Sequence, residues 1–262
     1  DNYKEIAEVY GKQLIEIKHQ ATKQRLMFGN WEYDDDPTAL IKYDAIIDLF
    51  TNTAENGDEY LTADIARFGA AKTVIGIWSG LNLTKVIVKA KQGLDRTADL
   101  IRTILRDERI PYSRCLVDED GIGGAIIDLL PGIRGFVANS APYDIQGVSG
   151  QEIERPNFRN LKAQCSYALA DAVNGRKMAI SAILAEENKT AIIEELEQVK
   201  SKFPDKDRSL QVVTKEDVIE ALGRSPDFGD CLMMRFAFEF SPPREASIVR
   251  PYRPVYGTTR FG

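Results

Sequence analysis

Apolar positions along this chain recur with two different periods, and the switches between them mark the elements. Tyr3 to Tyr10, followed by Leu14 and Ile15, fits a helical period that Gly29-Asn30 breaks. Asp34-Asp35-Asp36-Pro37 places acids ahead of a proline, a helix-start signal, and predicts a helix over 38–50. The pattern then changes. Residues 60–64, 73–78 and 84–89 are short and apolar, rich in β-branched residues or alternating, and read as three strands. Their short connections predict an antiparallel meander. Leu100, Ile101, Ile104 and Leu105 place a helix over 94–109, which Pro111 ends. A fourth strand follows at 113–118, a helix opening on Gly121-Ile122-Gly123-Gly124 and running to Leu130, and a fifth strand at 135–138. The polar, Gly- and Pro-punctuated stretch 141–157 predicts a mobile loop. Beyond it come helices over 161–172, 185–201, 215–222 and 227–240, with a short strand at 210–213. The last stretch, 241–262, carries four Pro, four Arg and two Tyr without periodicity, and predicts an extended basic tail.

The order β-β-β-α-β-α-β gives an α/β fold: a mixed sheet of three antiparallel strands followed by parallel ones, with helices on both faces. Three regions are expected: a helical segment at 1–56, a globular domain at 57–240 and the tail at 241–262. No internal repeat is visible.

Composition narrows the chemistry. With 262 residues, 44% of them hydrophobic, the chain can bury a full core. Lys and Arg number 34 against 40 Asp and Glu, a net charge of -6, which excludes a broadly basic nucleic-acid coat but not a local basic groove. No apolar run approaches the ~20 residues of a membrane helix, and no signal peptide is expected. The single histidine, His19, lies in a polar helical stretch and reads as a surface residue. Cys115, Cys165 and Cys231 have no metal-ligand spacing and read as buried free thiols. Any chemistry therefore falls to carboxylates.

No G-x-x-x-x-G-K-[ST] occurs, so no P-loop is expected. Gly121-Ile122-Gly123-Gly124-Ala125-Ile126 fails the dinucleotide fingerprint, since Ile126 holds the third glycine place. Its glycines would still let a helix start close under a strand end. Asp64 ends the first strand and Asp118 the fourth. In this topology the fourth strand lies parallel to and beside the first, so the two acids meet at one edge. Asp230 comes from the first turn of the last long helix. Each acid alone could be a cap or turn residue. Three converging carboxylates call for a cation, and hard oxygen donors imply Mg²⁺ or Mn²⁺. Two such ions serve phosphodiester cleavage.

These motifs resemble a known family. Leu61 to Gly69 with Lys72-Thr73-Val74-Ile75, then Val117 to Gly124, then Gly223 to Leu232, are similar in order and spacing to the three motifs of the nuclease domain of large terminase subunits of tailed bacteriophages. Asn157 to Gln164 and Lys215 also fit, and Arg25 to Trp31 resembles the stretch that joins the packaging ATPase to the nuclease. The resemblance implies an RNase H-like fold, with Asp64, Asp118 and Asp230 as metal-binding catalytic acids. Glu119, Asp120 and Asp227 are second-choice ligands or exposed turn acids. Arg67, Lys72 and Lys215 are candidate DNA contacts; Arg67 and Lys72 could equally be solvated surface charges. The chain is expected to be a C-terminal fragment without the ATPase, binding no nucleotide. One departure matters: the family's first motif usually carries an acid where Ala71 stands.

The function implied is a two-metal endonuclease that cuts concatemeric double-stranded phage DNA during packaging. The implied partners are a capsid portal and a small terminase subunit, the setting the host cytoplasm, with no membrane involved. The alternatives are another RNase H-like nuclease, such as a junction resolvase, or a weakly catalytic portal-docking module.

Overall fold

A computed structural model of the chain describes residues 36–66, 72–90, 93–120, 123–144, 156–202 and 209–242. The readings made for His19, Arg67, Ala71, Gly121, Ile122, the segments before residue 36, most of the 141–157 loop and most of the tail lie outside these residues.

The elements run α1 (Tyr43–Asp48), β1 (Glu59–Asp64), β2 (Thr73–Ser79), β3 (Asn82–Lys89), α2 (Leu94–Asp107), β4 (Cys115–Asp118), α3 (Gly123–Leu129), β5 (Arg134–Phe136), α4 (Leu161–Asn174), β6 (Ala179–Ile180), α5 (Glu186–Leu196), α6 (Lys215–Leu222), α7 (Asp227–Met234) and α8 (Ala237–Phe240). The strands form one sheet in the order β5-β4-β1-β2-β3-β6. β1, β2 and β3 are antiparallel neighbours. β4 lies parallel to β1, with Ala63 opposite Val117, and β5 lies parallel to β4. The expected topology is thus present, with β6 added parallel to β3 at the far edge.

Alternation along the strands splits the core into two layers. Leu61, Ala63, Ile75, Ile77 and Val117 pack on one face against Ala98, Ile101 and Leu105 of α2 and Ile126 of α3. Val74, Trp78 and Leu116 pack on the other against Leu169 of α4, Ile192 of α5 and Cys231 of α7. Ala45, Ile46 and Leu49 join this second layer, so the packed unit includes α1. Among the described residues no helix is long and apolar enough to cross a membrane.

Five expected elements come out differently, three of them for one reason. Backbone around 199–201 is paired on both sides. Ala39 bridges Lys200 and the Leu40 N–H donates to Val199 O, while Ser201 bridges Val212. These pairings stop the predicted 185–201 helix at Leu196 and reduce the 38–50 helix to Tyr43–Asp48. They also leave 210–213 as isolated bridges, with Phe158 paired to Leu210, rather than a strand. The predicted 227–240 helix breaks at Arg235-Phe236. There the buried Arg235 guanidinium turns under the sheet, donating to Gly80 O at 2.7 and 3.0 Å and stacking 4.0 Å from the centre of the Tyr60 ring. Likewise, Pro111 leads into a 3-10 turn over Tyr112–Arg114, so β4 begins at Cys115. By contrast, α6 has the expected bounds. Thr214 and Asp217 form a reciprocal capping box, and Gly223 ends the helix at φ 72°.

Candidate active site

Period-two alternation decides which way the strand-end acids face. Leu61 and Ala63 point to the α2 side, so Thr62 and Asp64 point to the α7 side. Thr62 fixes that face: its hydroxyl donates to Cys231 O at 3.0 Å and accepts from the Trp78 indole N–H at 2.9 Å. On β4, Cys115 and Val117 belong to the α2 layer, which turns Leu116 and Asp118 to the same side as Asp64. Parallel register then makes Asp64 and Asp118 neighbours at the C-terminal ends of adjacent strands. Gly123 lets α3 start directly against this edge, since a Cβ there would come 1.6 Å from Asp118 O.

The third acid is delivered by α7, which packs tightly because Gly76 lies beneath it; a Cβ at Gly76 would meet Cys231 Sγ at 3.2 Å. Glu195 of α5 anchors the start of α7. Its side chain is fully buried, accepts the Gly229 N–H at 2.7 Å, and is ion-paired with Arg224. Burial pushes the Glu195 carboxyl up to about 7 against the lowering pull of Gly229 and Arg224. Asp230 follows directly. Its two oxygens meet two ammonium groups, Lys162 of α4 at 3.0 Å and Lys215 of α6 at 2.8 Å.

The three acids therefore sit in different electrostatic states. Burial, then the charges of Asp230 and Asp118, push the Asp64 carboxyl well above the usual range. Burial raises Asp118 to about 6, although it accepts the Asp120 N–H. Burial would raise Asp230 as well, but Lys162 and Lys215 hold it below the ordinary carboxylate value. Lys215 is itself held more firmly protonated by Asp230 and Asp64, against its own burial. Among the described residues no three acids, histidines or cysteines stand ready-grouped around a cation position. Both Asp230 oxygens are already taken by lysines.

The remaining sequence candidates divide. The Asp227 carboxylate accepts the Lys72 N–H at 2.9 Å and is buried beside Asp64. The Asp120 carboxylate accepts the Ala138 N–H at 2.8 Å, and Glu119 lies against Gly135. The Lys72 side chain is exposed, whereas the Lys215 ammonium is engaged by Asp230. Lys162 and Glu195 were not singled out as site residues from the sequence. Lys162 stands two residues after the cap Asn160, which aims it across the site from the first turn of α4. Glu195 lies in the acidic run of α5, and nothing local marks it as the buried one. The three cysteines are buried free thiols, as expected, and burial raises each thiol above its usual range.

No family model matches the sequence, and no curated protein matches it. Solved structures do. The nuclease domain of the large terminase subunit gp2 of bacterial virus Sf6 superposes with a TM-score of 0.61 at 21% identity, covering 75% of this chain and 97% of that one. A lysine-to-alanine variant of that domain with manganese and beta-thujaplicinol matches at 0.61 and 20%, covering 75% and 97%. The variant with calcium also matches at 0.61 and 20%, covering 75% and 98%. The likeness is one of fold: this chain has the RNase H-like mixed sheet of large terminase nuclease domains, and its three acids lie at the C-terminal edge of β1 and β4.

Proposed function

We propose that the chain is a divalent-metal-dependent DNA endonuclease that cuts concatemeric double-stranded DNA in the genome-packaging assembly of a tailed phage. The observation that carries this reading is the pair of strand-end carboxylates, Asp64 and Asp118. They are side by side on one face, both raised above their ordinary range, and joined by Asp230 from α7. Buried like charges are costly unless a cation compensates them. The donor set is all carboxylate oxygen, which fits Mg²⁺ or Mn²⁺ rather than a soft metal.

In this reading Asp64, Asp118 and Asp230 hold two ions, with Asp227 in reserve. Bound there, such ions activate a water and stabilise the leaving oxygen of a phosphodiester. The protein supplies placement. The sheet fixes two carboxylates in register, and Glu195 sets the start of α7. Lys162 and Lys215 hold the Asp230 carboxylate and must yield oxygens to an ion. Arg67, Lys72 and Lys215 are the candidate contacts to DNA, and a capsid portal and small terminase subunit the partners, in the host cytoplasm. The fold likeness and the three ordered motifs support this setting.

The test is nicking or linearisation of supercoiled plasmid. The chain is expected to cut with Mn²⁺, less well with Mg²⁺, and not at all in excess EDTA. Equal cutting in EDTA would remove the metal mechanism, and no cutting under any metal would leave the docking reading in its place.

A further inference from the structure

A cleft of about 510 Å³ opens beside the acid site, and side chains of both charges line it. Asp118, Asp120, Glu216 and Asp230 line it together with four cations: Arg159, Lys162, Lys202 and Lys215. Three of the four are committed. Lys162 and Lys215 are spent on Asp230, and the Lys202 ammonium lies 3.8 Å from Asp217. Among the described residues no carboxylate pairs with Arg159, and its side chain is exposed to the cleft.

The backbone under Arg159 is fixed on both sides. Asn157 O accepts the Leu210 N–H at 2.6 Å, and the Arg159 N–H donates to Leu210 O at 2.9 Å. Asn160, the next residue, caps α4 through the Ala163 N–H and bonds Asn139 across the cleft at 3.0 Å. The Phe158 ring packs 5.6 Å from that of Tyr167. An exposed guanidinium with no ion pair among the described residues is thus held on hydrogen-bonded backbone at the rim of the acid site. A planar fork of donors on a preorganised base suits a phosphate oxygen pair.

We infer that Arg159 is a DNA-backbone contact: it holds a phosphate of the bound strand beside the position of cleavage, not at it. This rests on the nuclease reading above. Ions bound at the acids would offset their charge, and the cations of the cleft would then attract a phosphate chain. Among the described cations of the cleft, Arg159 can meet that chain without first releasing an acid, whereas Lys162 and Lys215 would release Asp230 and Lys202 would leave Asp217.

The test uses the full chain and a short fluorescent DNA duplex. Anisotropy titrations in Ca²⁺ over a range of salt give affinity and salt slope, and cleavage in Mn²⁺ gives KM and kcat. R159A should weaken binding several-fold and lower the slope of log Kd against log salt by about one. The loss should fall on KM more than on kcat. R159K should recover the slope and only part of the affinity, since it restores the charge without the fork. The rise in melting temperature on adding Mn²⁺ should match wild type, which separates lost DNA contact from a damaged metal site. If wild type binds and cuts while R159A keeps its slope and KM, the Arg159 assignment falls alone. If wild type neither binds duplex nor cuts, the nuclease reading falls and takes this inference with it.

Discussion

Asp64 and Asp230 are almost equally withdrawn from solvent, at 5% and 9% exposure, yet the fold treats them in opposite ways. On the helix side, two buried acids have cations from the protein: Asp230 has Lys162 and Lys215, and Glu195 has Arg224, while the buried Asp227 has the Lys72 backbone N–H. On the strand side, Asp64 and Asp118 have each other, the field of Asp230, and only the shared charge of Lys215 against them. The difference is one of construction. A strand end is fixed by the ladder, so its carboxylate stays where register puts it, whatever the charge balance. A helix start can be approached by long side chains from neighbouring helices. On the proposed reading, the half of the site that the protein's own cations compensate least is the half where an outside cation would act.

The sharpest way to break this comparison is to neutralise the strand side. D118N keeps shape and hydrogen bonding but removes the charge that an ion requires. Metal-dependent cutting should fall on the order of a hundredfold or more. In EDTA the same variant should be as stable as wild type or more so, by roughly 2 kcal/mol at neutral pH. The sign follows from the raised carboxyl. The folded protein binds the Asp118 proton more tightly than the unfolded chain. Its stabilising effect is therefore full below the ordinary value of 3.8 and lost as pH rises through about 6. Thermal melts of both proteins in EDTA between pH 4 and 7 should converge at the acid end. A variant that cuts at wild-type rate would remove Asp118 from the mechanism, and one that unfolds would make it a structural strand-end residue.

Breaking the helix side should cost stability directly. E195A leaves the Arg224 guanidinium without its buried partner and the Gly229 N–H without its acceptor. Such a loss should cost about 3 kcal/mol or more, read by urea or thermal unfolding. Glu194 also pairs with Arg224, at 3.1 Å, but is partly exposed, and E194A should cost under ~1 kcal/mol. Equal effects would mean that burial is not what separates the two pairs.

This asymmetry also explains what could be read from the sequence. The strand-side acids were legible because they end short apolar runs whose order fixes the sheet: Asp64 closes Tyr60–Asp64, and Asp118 closes the run before Glu119-Asp120. A meander of three strands followed by one helical crossover brings the fourth strand back parallel to the first. The helix-side compensation was not legible, because it is made by long-range contacts. Lys162, Lys215 and Asp230 are separated by up to 68 residues, and Glu195 resembles its exposed neighbours until α7 packs on it. The same holds for β6: Ala179-Ile180 is too short for any pattern and is set by pairing with Asn82 and Leu83. Local signals succeeded where the structure is local, as in the Thr214–Gly223 helix. They failed around 199–201, where the partners on one side, Thr38 to Leu40, lie more than a hundred residues back.

The smallest effect comes from a surface acid that serves as a reference for both sides. Asp36 accepts from the Thr38 N–H at 3.0 Å and from its hydroxyl, and pairs with Lys200 at 3.0 Å. It thereby clasps the start of the packed unit to the 199–201 segment, where Ser201 donates to Thr38 O at 2.7 Å. The Thr38 hydroxyl lowers the Asp36 carboxyl to about 2, helped by Lys200 and against slight burial. Here the sign is opposite to that of Asp118. The contribution is present above the ordinary value of 3.8 and is lost as pH falls through about 2. Because the side chain is 41% exposed, solvent screening reduces its worth to about 0.5–1 kcal/mol. D36N should therefore lower the melting temperature slightly at pH 6 and not at pH 2, and salt should shrink the difference. A loss as large as that of E195A would show that an exposed clasp can match a buried ion pair, and the contrast between compensated and uncompensated acids would then have to rest on packing rather than on charge.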